Sequence, residues 1–476
     1  MQRLPEVERW GRFELTLHGP DDGNPFQEVR LSARFQYKNR VVEPEGFYDG
    51  NGTYRIRFMP DELGVWRYVT CSNRKELDGQ VGEFICVKPF DGNHGPVRVK
   101  DKYLFAYEDG QPYMPFGTTC YHWTFTGSEA HEELTLETLR NSPFNKVRMC
   151  LLPTKDMKPP LPLCFIGTSP EDLDKTRFNP GFFTHFERRI DDLMRLGIEA
   201  DLVLFHPYDK GYWGVDNMDP DTDAYYLRYV IARLASFRNV WWSISNEYDF
   251  NPFKTVADWD RLLQLTQRCD PYQHLRSIHN GTKMYKSSTL YDFSKPWITH
   301  QSVQHWDPEL TTDWRYTVAK PVVIDEISYE GNSSRRWGNI SGEEMTHRCW
   351  EGMTRGGFVG HGESFIDRET RAWISVGGAL YGESAERIAF LRRMMEEGPE
   401  DWIEAGLQGN YWLLYFGRRQ HAFKTVDLPG DAEYGIEIID TWNMTVTPLE
   451  GVFSGRCKVE LPGKPYIALR IMRVVG

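Results

Sequence analysis

The chain has no long apolar segment, and this absence excludes several classes of protein. No run of about 18 apolar residues occurs among the 476 residues, so no membrane-spanning helix is predicted. Residues 1–8 lack the apolar core of a signal peptide. The eight cysteines are scattered without C-x-x-C spacing, which predicts reduced thiols. We therefore expect a cytoplasmic protein that does not bind membranes.

Basic residues are also scarce. Lys and Arg total 56 against 68 Asp and Glu, for a net charge of −12. Nucleic-acid binding depends on concentrated positive charge, and no segment supplies it, so no nucleic-acid partner is predicted. Motifs of other enzyme classes are missing too, including G-x-G-x-x-G after an early strand, G-x-S-x-G and H-E-x-x-H. We expect neither a cofactor nor a metal.

What the sequence does have is alternation of apolar and polar residues at both ends. Residues 1–88 contain short segments in which every second side chain is apolar, as with Phe13, Leu15 and Leu17. Clusters of turn-forming residues separate these segments. This pattern is typical of strands and predicts an N-terminal Ig-like β-sandwich, followed by a linker near residues 88–96. Similar alternation over residues 401–476 predicts a small C-terminal antiparallel β domain, a β-sandwich.

The middle of the chain, residues 97–400, has a different pattern. Apolar runs alternate with helical stretches, most clearly at 182–196 and 224–237. Eight such runs in about 300 residues predict an α/β fold, a (β/α)₈ TIM barrel. An open doubly wound sheet is the alternative, which the missing nucleotide-binding motif disfavours. The predicted strands are 113–117, 146–151, 199–205, 240–244, 275–279, 297–301, 322–325 and 357–360.

Two glutamates follow predicted strands where a barrel places its reactive groups. Glu247 follows the fourth run and Glu326 the seventh. Glycoside cleavage needs one carboxyl to protonate the leaving oxygen and another to attack the anomeric carbon. Asn246, just before Glu247, could bond the sugar 2-hydroxyl. Either glutamate alone would more simply be a structural ion-pair partner, but both at matching strand ends favour catalysis.

These motifs carry a resemblance. Asn-Glu ending strand four, with a lone Glu ending strand seven, resembles clan A of the retaining (β/α)₈ glycosidases. The whole chain is similar to bacterial endoglucanase-like and apiosidase-like glycosidases. Their flanking β domains are of the unknown-function types 5060 and 5605. The resemblance implies a retaining hydrolase of oligosaccharides, taken to be plant-derived, that works by double displacement. The alternative is an inactive carbohydrate-binding protein on the same barrel.

The resemblance also assigns roles. It implies that Glu247 is the acid/base and Glu326 the nucleophile. Arg148 resembles the arginine that holds the nucleophile ionised, and His206 fits a sugar-contacting position. The clan's hydrogen-bond partner of the nucleophile would come from the region after strand six, and the choice there is open between Gln301, Gln304 and His305. Asp325, adjacent to Glu326 on a strand, should point the other way and be structural.

Further residues are candidates for sugar binding. Tyr121, His122 and Trp123 follow the first predicted strand, although a lone strand-end ring is as often scaffold. Glu363 follows the eighth strand, which supplies substrate contacts in the clan. Three tryptophans in long loops, Trp213, Trp306 and Trp337, could stack on sugar rings. The predicted partner is an oligosaccharide, and self-association into a homo-oligomer is left open.

Overall fold

A computed structural model describes residues 4–157, 163–281, 290–366 and 372–474 of the chain. It is a mixed α/β protein with mainly antiparallel sheets at both ends, in which β1 (Glu6–Glu8) and β8 (Val81–Val87) form a parallel pair, and with parallel strands between them. Among the described residues, no helix combines the length and apolar character needed to cross a membrane. All eight cysteines are free.

The N-terminal region contains two sheets, ordered β1-β8-β7-β3-β4 and β2-β6-β5. Alternate side chains are buried along its strands, as in Phe13–His18, because successive residues of a strand face opposite sides. A short helix, α1 (Pro25–Glu28), lies between β2 and β3. The strands are β1 (Glu6–Glu8), β2 (Phe13–His18), β3 (Leu31–Tyr37), β4 (Arg40–Val42), β5 (Phe47–Tyr48), β6 (Thr53–Phe58), β7 (Gly64–Ser72) and β8 (Val81–Val87).

An antiparallel sheet precedes the parallel strands, and it changes one prediction. It consists of β9 (Val97–Lys100), β10 (Leu104–Tyr107) and β11 (Pro112–Tyr113). The sequence places a parallel strand at 113–117, but Tyr113 pairs with Phe105 across this sheet. The parallel strand instead begins at Gly117. Apolar content alone does not separate the two strands, because both are buried.

Eight parallel strands follow in two groups. The orders are β12-β13-β16-β17-β18 and β19-β20-β22. Isolated parallel bridges join the edges of the groups, His279 to Ser302 on one side and Thr118 to His361 on the other. The strands are β12 (Gly117–Thr119), β13 (Lys146–Cys150), β16 (Glu199–Phe205), β17 (Val240–Ser245), β18 (Arg276–Ser277), β19 (Gln301–Gln304), β20 (Val322–Glu326) and β22 (Phe358–Val359). Two small strand pairs lie in the loops, β14 (Phe165–Ile166) with β15 (Asp174–Phe178) and β21 (Glu330–Gly331) with β23 (Glu363–Ser364).

Helices connect these strands, and local sequence signals set where they begin. Asn179 and Asp219 precede Pro180 and Pro220, and each side chain accepts hydrogen bonds from the first free N–H groups of its helix. The helices are α2 (Glu129–Arg140), α3 (Pro180–Arg195), α4 (Pro220–Leu234), α5 (Val256–Cys269), α6 (Thr311–Thr317), α7 (Gly342–Thr354), α8 (Trp373–Val376), α9 (Ser384–Glu396) and α10 (Trp402–Leu407). Single 3₁₀ turns cover Trp123–Phe125, Tyr248–Phe250, Pro308–Leu310 and Arg336–Gly338.

The C-terminal region is again antiparallel. Its sheets are ordered β24-β29-β26-β27 and β25-β28, and a separate apolar cluster that includes Tyr434 and Leu469 fills the space between them. The strands are β24 (Tyr411–Tyr415), β25 (Phe423–Asp427), β26 (Tyr434–Asp440), β27 (Thr445–Pro448), β28 (Arg456–Glu460) and β29 (Ile467–Arg473).

A buried ionic network joins the N-terminal sheets to helices α3 and α4. Glu187 accepts from Arg57 at 2.9 Å and from Arg233 at 2.6 Å, and Arg233 also donates to Asp49 at 2.7 Å. Burial opposes ionisation of Glu187, but the two guanidinium groups more than offset it and lower its pKa. The N-terminal sheets therefore contact helices α3 and α4 through buried charges that neutralise one another.

Arg233→Ala should lower the free energy of unfolding by about 3–5 kcal/mol, because it leaves Glu187 buried with a reduced countercharge. Urea unfolding followed by tryptophan fluorescence measures this loss. Arg228→Ala is the matched control on the same helix: its ion pair with Glu45 is half-exposed, and removing it should cost less than about 1 kcal/mol. Equal losses in the two variants would contradict the network's role.

Candidate active site

The carboxyl ends of the parallel strands surround a cavity of about 630 Å³. Side chains that follow β12, β16, β17, β19 and β20 all reach it, because parallel strands end at one edge. The cavity is lined by Tyr121, His122, residues 154–157, Tyr208, Lys210, Glu247, Gln304, Glu326, Tyr329, Trp337 and residues 374–376.

Glu247 enters the cavity from a sharp turn at the end of β17. Its backbone is left-handed, with φ 43° and ψ 50°, a conformation that non-glycine residues adopt uncommonly. The carboxylate accepts from Tyr208 Oη at 3.0 Å and from Gln304 Nε2 at 3.2 Å. Burial, followed by the negative charge of Glu326, raises the pKa of Glu247 to about 8, so this carboxyl holds its proton at neutral pH.

Glu326 ends β20 and has a different set of partners. Tyr121 donates its hydroxyl proton to Glu326 Oε1, and His279 Nε2 lies 3.5 Å from the same oxygen. Burial opposes ionisation of Glu326, but the hydrogen bond and charge of His279, then the hydrogen bond from Tyr121, lower its pKa below the ordinary value. The two carboxyls of the cavity are therefore driven to opposite protonation states.

Two hydrogen-bonded paths connect these carboxyls. On one side, Asn246 Nδ2 donates to Tyr208 Oη and lies 3.4 Å from Glu326 Oε1, while Tyr208 bonds Glu247. On the other side, the Gln304 amide bonds Glu247, and its oxygen lies 3.2 Å from His279 Nε2. Each carboxyl is thus held relative to the other, and a change in one charge is felt by the other.

A buried ionic cluster lies beneath the site. Arg148 donates to Asp201 at 3.0 Å and to Asn246 Oδ1 at 2.7 Å, which turns the Asn246 amide nitrogen toward the carboxyls. Lys146 bonds both Asp201 and Asp325 at 2.7 Å. Asp325 therefore points toward Lys146 beneath the cavity, away from its neighbour Glu326, as expected from the alternation along a strand.

Family comparison agrees with this geometry. The apiosidase-like catalytic domain matches residues 99–400, more than half of the chain. The chain belongs to the apiosidase-like family. Domains of unknown function match on either side, DUF5060 over residues 6–73 and DUF5605 over residues 401–472. The resemblance inferred from the sequence is confirmed.

Solved structures extend the comparison. A presumed glycoside hydrolase from Bacteroides vulgatus is 39% identical, with a TM-score of 0.91, over 99% of this chain and 100% of its own. A family 5 glycoside hydrolase from the same species is 16% identical, with a TM-score of 0.62, over 81% of this chain and 95% of its own. The second likeness shows a shared fold only. No curated protein matches this apiosidase-like chain.

The structure brings six of the predicted site residues to the carboxyl pair or to the cavity wall beside it. Tyr121 and Gln304 bond the two carboxyls, and His122 lines the cavity. Asn246 and Arg148 lie directly beneath, although Arg148 bonds Asn246 rather than Glu326. Gln301, the other glutamine considered after strand six, donates to main-chain oxygens of residues 314–320 instead. Trp337 lines the cavity as a partly exposed ring.

Three predicted ring contacts to sugar do not lie on the cavity wall of the apiosidase-like chain. The two nitrogens of His206 are occupied, with Nε2 on Leu152 O and Nδ1 accepting from Tyr208 N–H, so this ring orients Tyr208. Trp123 is fully buried. His305 accepts from Asp307 N–H and packs edge-on to Trp314. Each residue follows a parallel strand, although β12 and β19 lie later in the chain than the predicted strands 113–117 and 297–301. The side chain of each residue turns into the protein.

The other rim candidates also lie elsewhere. Glu363 is 1% exposed and accepts main-chain N–H groups of Tyr381 and Gly382, which makes it a buried structural carboxylate. Trp306 lies on a separate surface, near the guanidinium groups of Arg336 and Arg348. Trp213 is buried and donates to Thr154 O.

Sequence reasoning missed Tyr208, His279 and Tyr329. A signal for His279 was present, since it ends the predicted strand 275–279 and strand ends were the criterion. Tyr208 lies two residues after His206. The sequence therefore indicated the correct loop, but it suggested His206 rather than Tyr208 as the side chain that reaches the cavity. Tyr329 follows Glu326 in a loop with no periodicity to read.

His279→Ala should raise the pKa of Glu326, because burial then acts without the hydrogen bond and charge that oppose it. Titration of ¹³C-labelled glutamate carboxyls by NMR measures the direction of the change. His347→Ala, whose ring contacts Tyr415 outside the cavity, is the control and should leave Glu326 unchanged. An unchanged Glu326 titration in His279→Ala would contradict this account of the site.

Proposed function

We propose that this chain is a retaining glycoside hydrolase with Glu247 as acid/base and Glu326 as nucleophile. The observation that carries the proposal is the pair itself: one cavity contains two carboxyls whose pKa values move in opposite directions. A protonated acid beside an ionised carboxylate is what glycosidic cleavage by double displacement requires. Membership of the apiosidase-like family and the 39% identical relative support glycosidase activity.

In the first step, Glu247 gives its proton to the glycosidic oxygen while Glu326 attacks the anomeric carbon. The bond to the leaving sugar breaks, and a glycosyl ester forms on Glu326. Neutralising Glu326 removes the charge that raised the pKa of Glu247. Glu247 is then ionised and takes a proton from water, which attacks the same carbon and releases the sugar with its original configuration.

The neighbouring groups have matching roles in this proposal. Tyr121 and His279 stabilise the Glu326 carboxylate before attack. Tyr208 and Gln304 orient Glu247, and Asn246 offers its amide to the sugar 2-hydroxyl as positive charge develops at the ring. Trp337 provides an apolar face for a sugar ring at the cavity wall.

We further infer that the eight parallel strands close into a (β/α)₈ barrel. The two hydrogen-bonded groups account for six of the eight neighbour contacts of a closed ring. The bridges between His279 and Ser302 and between Thr118 and His361 supply the other two. A cavity of about 630 Å³ lies within the usual range for a small-ligand site and suits a short oligosaccharide. The resemblance to apiosidase-like glycosidases implies plant-derived oligosaccharides, and we take these as the substrate class.

Glu326→Ala should reduce kcat by at least about 10⁴-fold on an aryl glycoside substrate, found by screening furanosides and pyranosides, because the attacking group is lost. Azide should restore turnover and give a glycosyl azide of inverted configuration, identified by NMR. Glu133→Ala, at an exposed carboxylate, is the control and should keep full activity. Full activity of Glu326→Ala would remove Glu326 from the role, and a wild type without turnover on any substrate would favour the binding-protein alternative.

The pH profile of kcat/KM should be bell-shaped. Glu247 must be protonated to act as acid, so activity should fall as the pH rises through its pKa of about 8. Glu326 must be ionised to attack, so activity should fall on the acid side, below the ordinary range of a glutamate. Initial rates between pH 3 and 10 measure both limbs. An activity that keeps rising to pH 10 would show that Glu247 is not the acid.

A further inference from the structure

A second cluster of ionisable side chains lies outside the active-site cavity. Glu330 begins β21, Glu363 begins β23, and His361 lies just beyond β22. All three are at most 3% exposed. One potential ligand atom from each lies within 4.8 Å of the others, and His361 Nε2 is 3.7 Å from Glu363 Oε1. The three side chains therefore face one small buried space.

His361 points an unsatisfied nitrogen into this cluster. Its Nδ1 lies 3.1 Å from Thr118 Oγ1, and its ring stacks on Phe144, so the ring orientation is fixed. Its Nε2 is buried and has no hydrogen-bond partner. A buried ring nitrogen without a partner is costly, whichever tautomer the ring adopts. When Nδ1–H donates to Thr118, the Nε2 lone pair faces the two carboxylates.

The two carboxylates are held by the chain leading into helix α9. Glu330 accepts from the N–H groups of Glu383 and Ser384 and from the Ser384 hydroxyl. Glu363 accepts from the N–H groups of Tyr381 and Gly382. No lysine or arginine pairs with either carboxylate within the described part of the chain. These hydrogen bonds orient the carboxylates and leave oxygen lone pairs available.

A glycine allows the carboxylates to approach each other. A Cβ on Gly382 would lie 2.4 Å from Glu330 Oε2 and 2.6 Å from Glu363 Oε1, which no other residue could accommodate without a shift. One oxygen of each glutamate therefore lies beside the same glycine, where a single cation could contact both.

We propose that Glu330, His361 and Glu363 form a structural site for a divalent transition metal, with Zn²⁺ as the ion that fits best. One imidazole nitrogen and two carboxylate oxygens would supply three zinc ligands at about 2.0–2.2 Å, and a water would take the fourth position. The 3.7 Å separation of His361 Nε2 and Glu363 Oε1 is close to the spacing of two such ligands. Thr118 and the N–H groups would act as the outer shell that orients the ligands.

The position of this site gives it a structural role. His361 lies at the bridge to Thr118 that joins the first and eighth parallel strands, and Glu330 follows Tyr329, a residue of the cavity wall. A metal here would tie that bridge, the β21–β23 pair and the start of α9 together. The other group with metal-like spacing, His122, Cys150 and His206, is a poorer site, because both nitrogens of His206 already have partners.

The experiment is a metal titration of the intact protein. After dialysis against EDTA, one equivalent of ZnCl₂ is added and unbound metal removed. We expect about one zinc per chain by mass spectrometry and a Tm at least about 3 °C higher than that of the EDTA-treated protein. Anomalous scattering from a zinc-soaked crystal should place the ion between the three side chains. No retained zinc with an unchanged Tm, or an anomalous peak only elsewhere, would overturn the proposal.

Variants locate the effect. His361→Phe keeps a ring to stack on Phe144 but removes the ligand nitrogen, and it should lose the bound zinc and the zinc-dependent rise in Tm. His300→Phe is the matched control, a buried histidine packed against Phe105 and Trp241 outside the cluster, and it should keep both. Zinc retained at full stoichiometry by His361→Phe would overturn the site, as would equal loss in both variants.

Discussion

Two carboxyl groups share one buried cavity, and the interaction between their charges constrains the rest of the site. Glu247 and Glu326 cannot both be ionised there at low cost, so their protonation is decided by differences in their neighbours. His279 lies beside Glu326 and lowers the pKa of Glu326 despite burial, whereas burial and the charges of Glu326 and Asp249 raise the pKa of Glu247. Gln304 bonds Glu247 and Asn246 bonds Glu326, so each carboxyl also has a fixed neutral partner.

The ionic cluster beneath the cavity also consists of buried charges that constrain one another. Lys146 and Arg148 carry two positive charges, and Asp201 and Asp325 carry two negative ones, so the buried group is balanced. Such a cluster is costly to desolvate and adds little stability, but it orients its members strictly. Arg148 transmits that orientation to Asn246, and so to both carboxyls. The different surroundings of Glu247 and Glu326 thus depend in part on charged side chains that do not line the cavity.

Much of this arrangement could be predicted from the sequence, because parallel strands leave a strong signal. Apolar runs located most of the strands, and the rule that barrel sites lie at strand ends selected Glu247, Glu326 and Asn246, which the structure brings together at the cavity. The rule gives a position along the chain but not the direction of a side chain. Glu363 and His206 satisfy it and turn into the protein, whereas Tyr208, two residues from His206, reaches the cavity. The hydrogen-bond partners of each side chain are set by the tertiary structure, which the sequence pattern does not describe. In the same way, Tyr113 pairs within an antiparallel sheet.

The left-handed backbone of Glu247 could not be predicted either, and it positions this carboxyl in the cavity. A non-glycine residue held in this conformation costs about 1–3 kcal/mol, which the surroundings must offset. Tyr248 N–H bonds His279 O just after the turn, and Gly281 packs so closely that a Cβ there would lie 2.9 Å from Glu247 Cβ. The histidine that lies beside Glu326 therefore also holds the turn that presents Glu247. The segment 279–281 after β18 thus positions the carboxyl of Glu247 and favours the ionised form of Glu326. The same few residues hold the strained backbone of Glu247 and make the surroundings of the two carboxyls different.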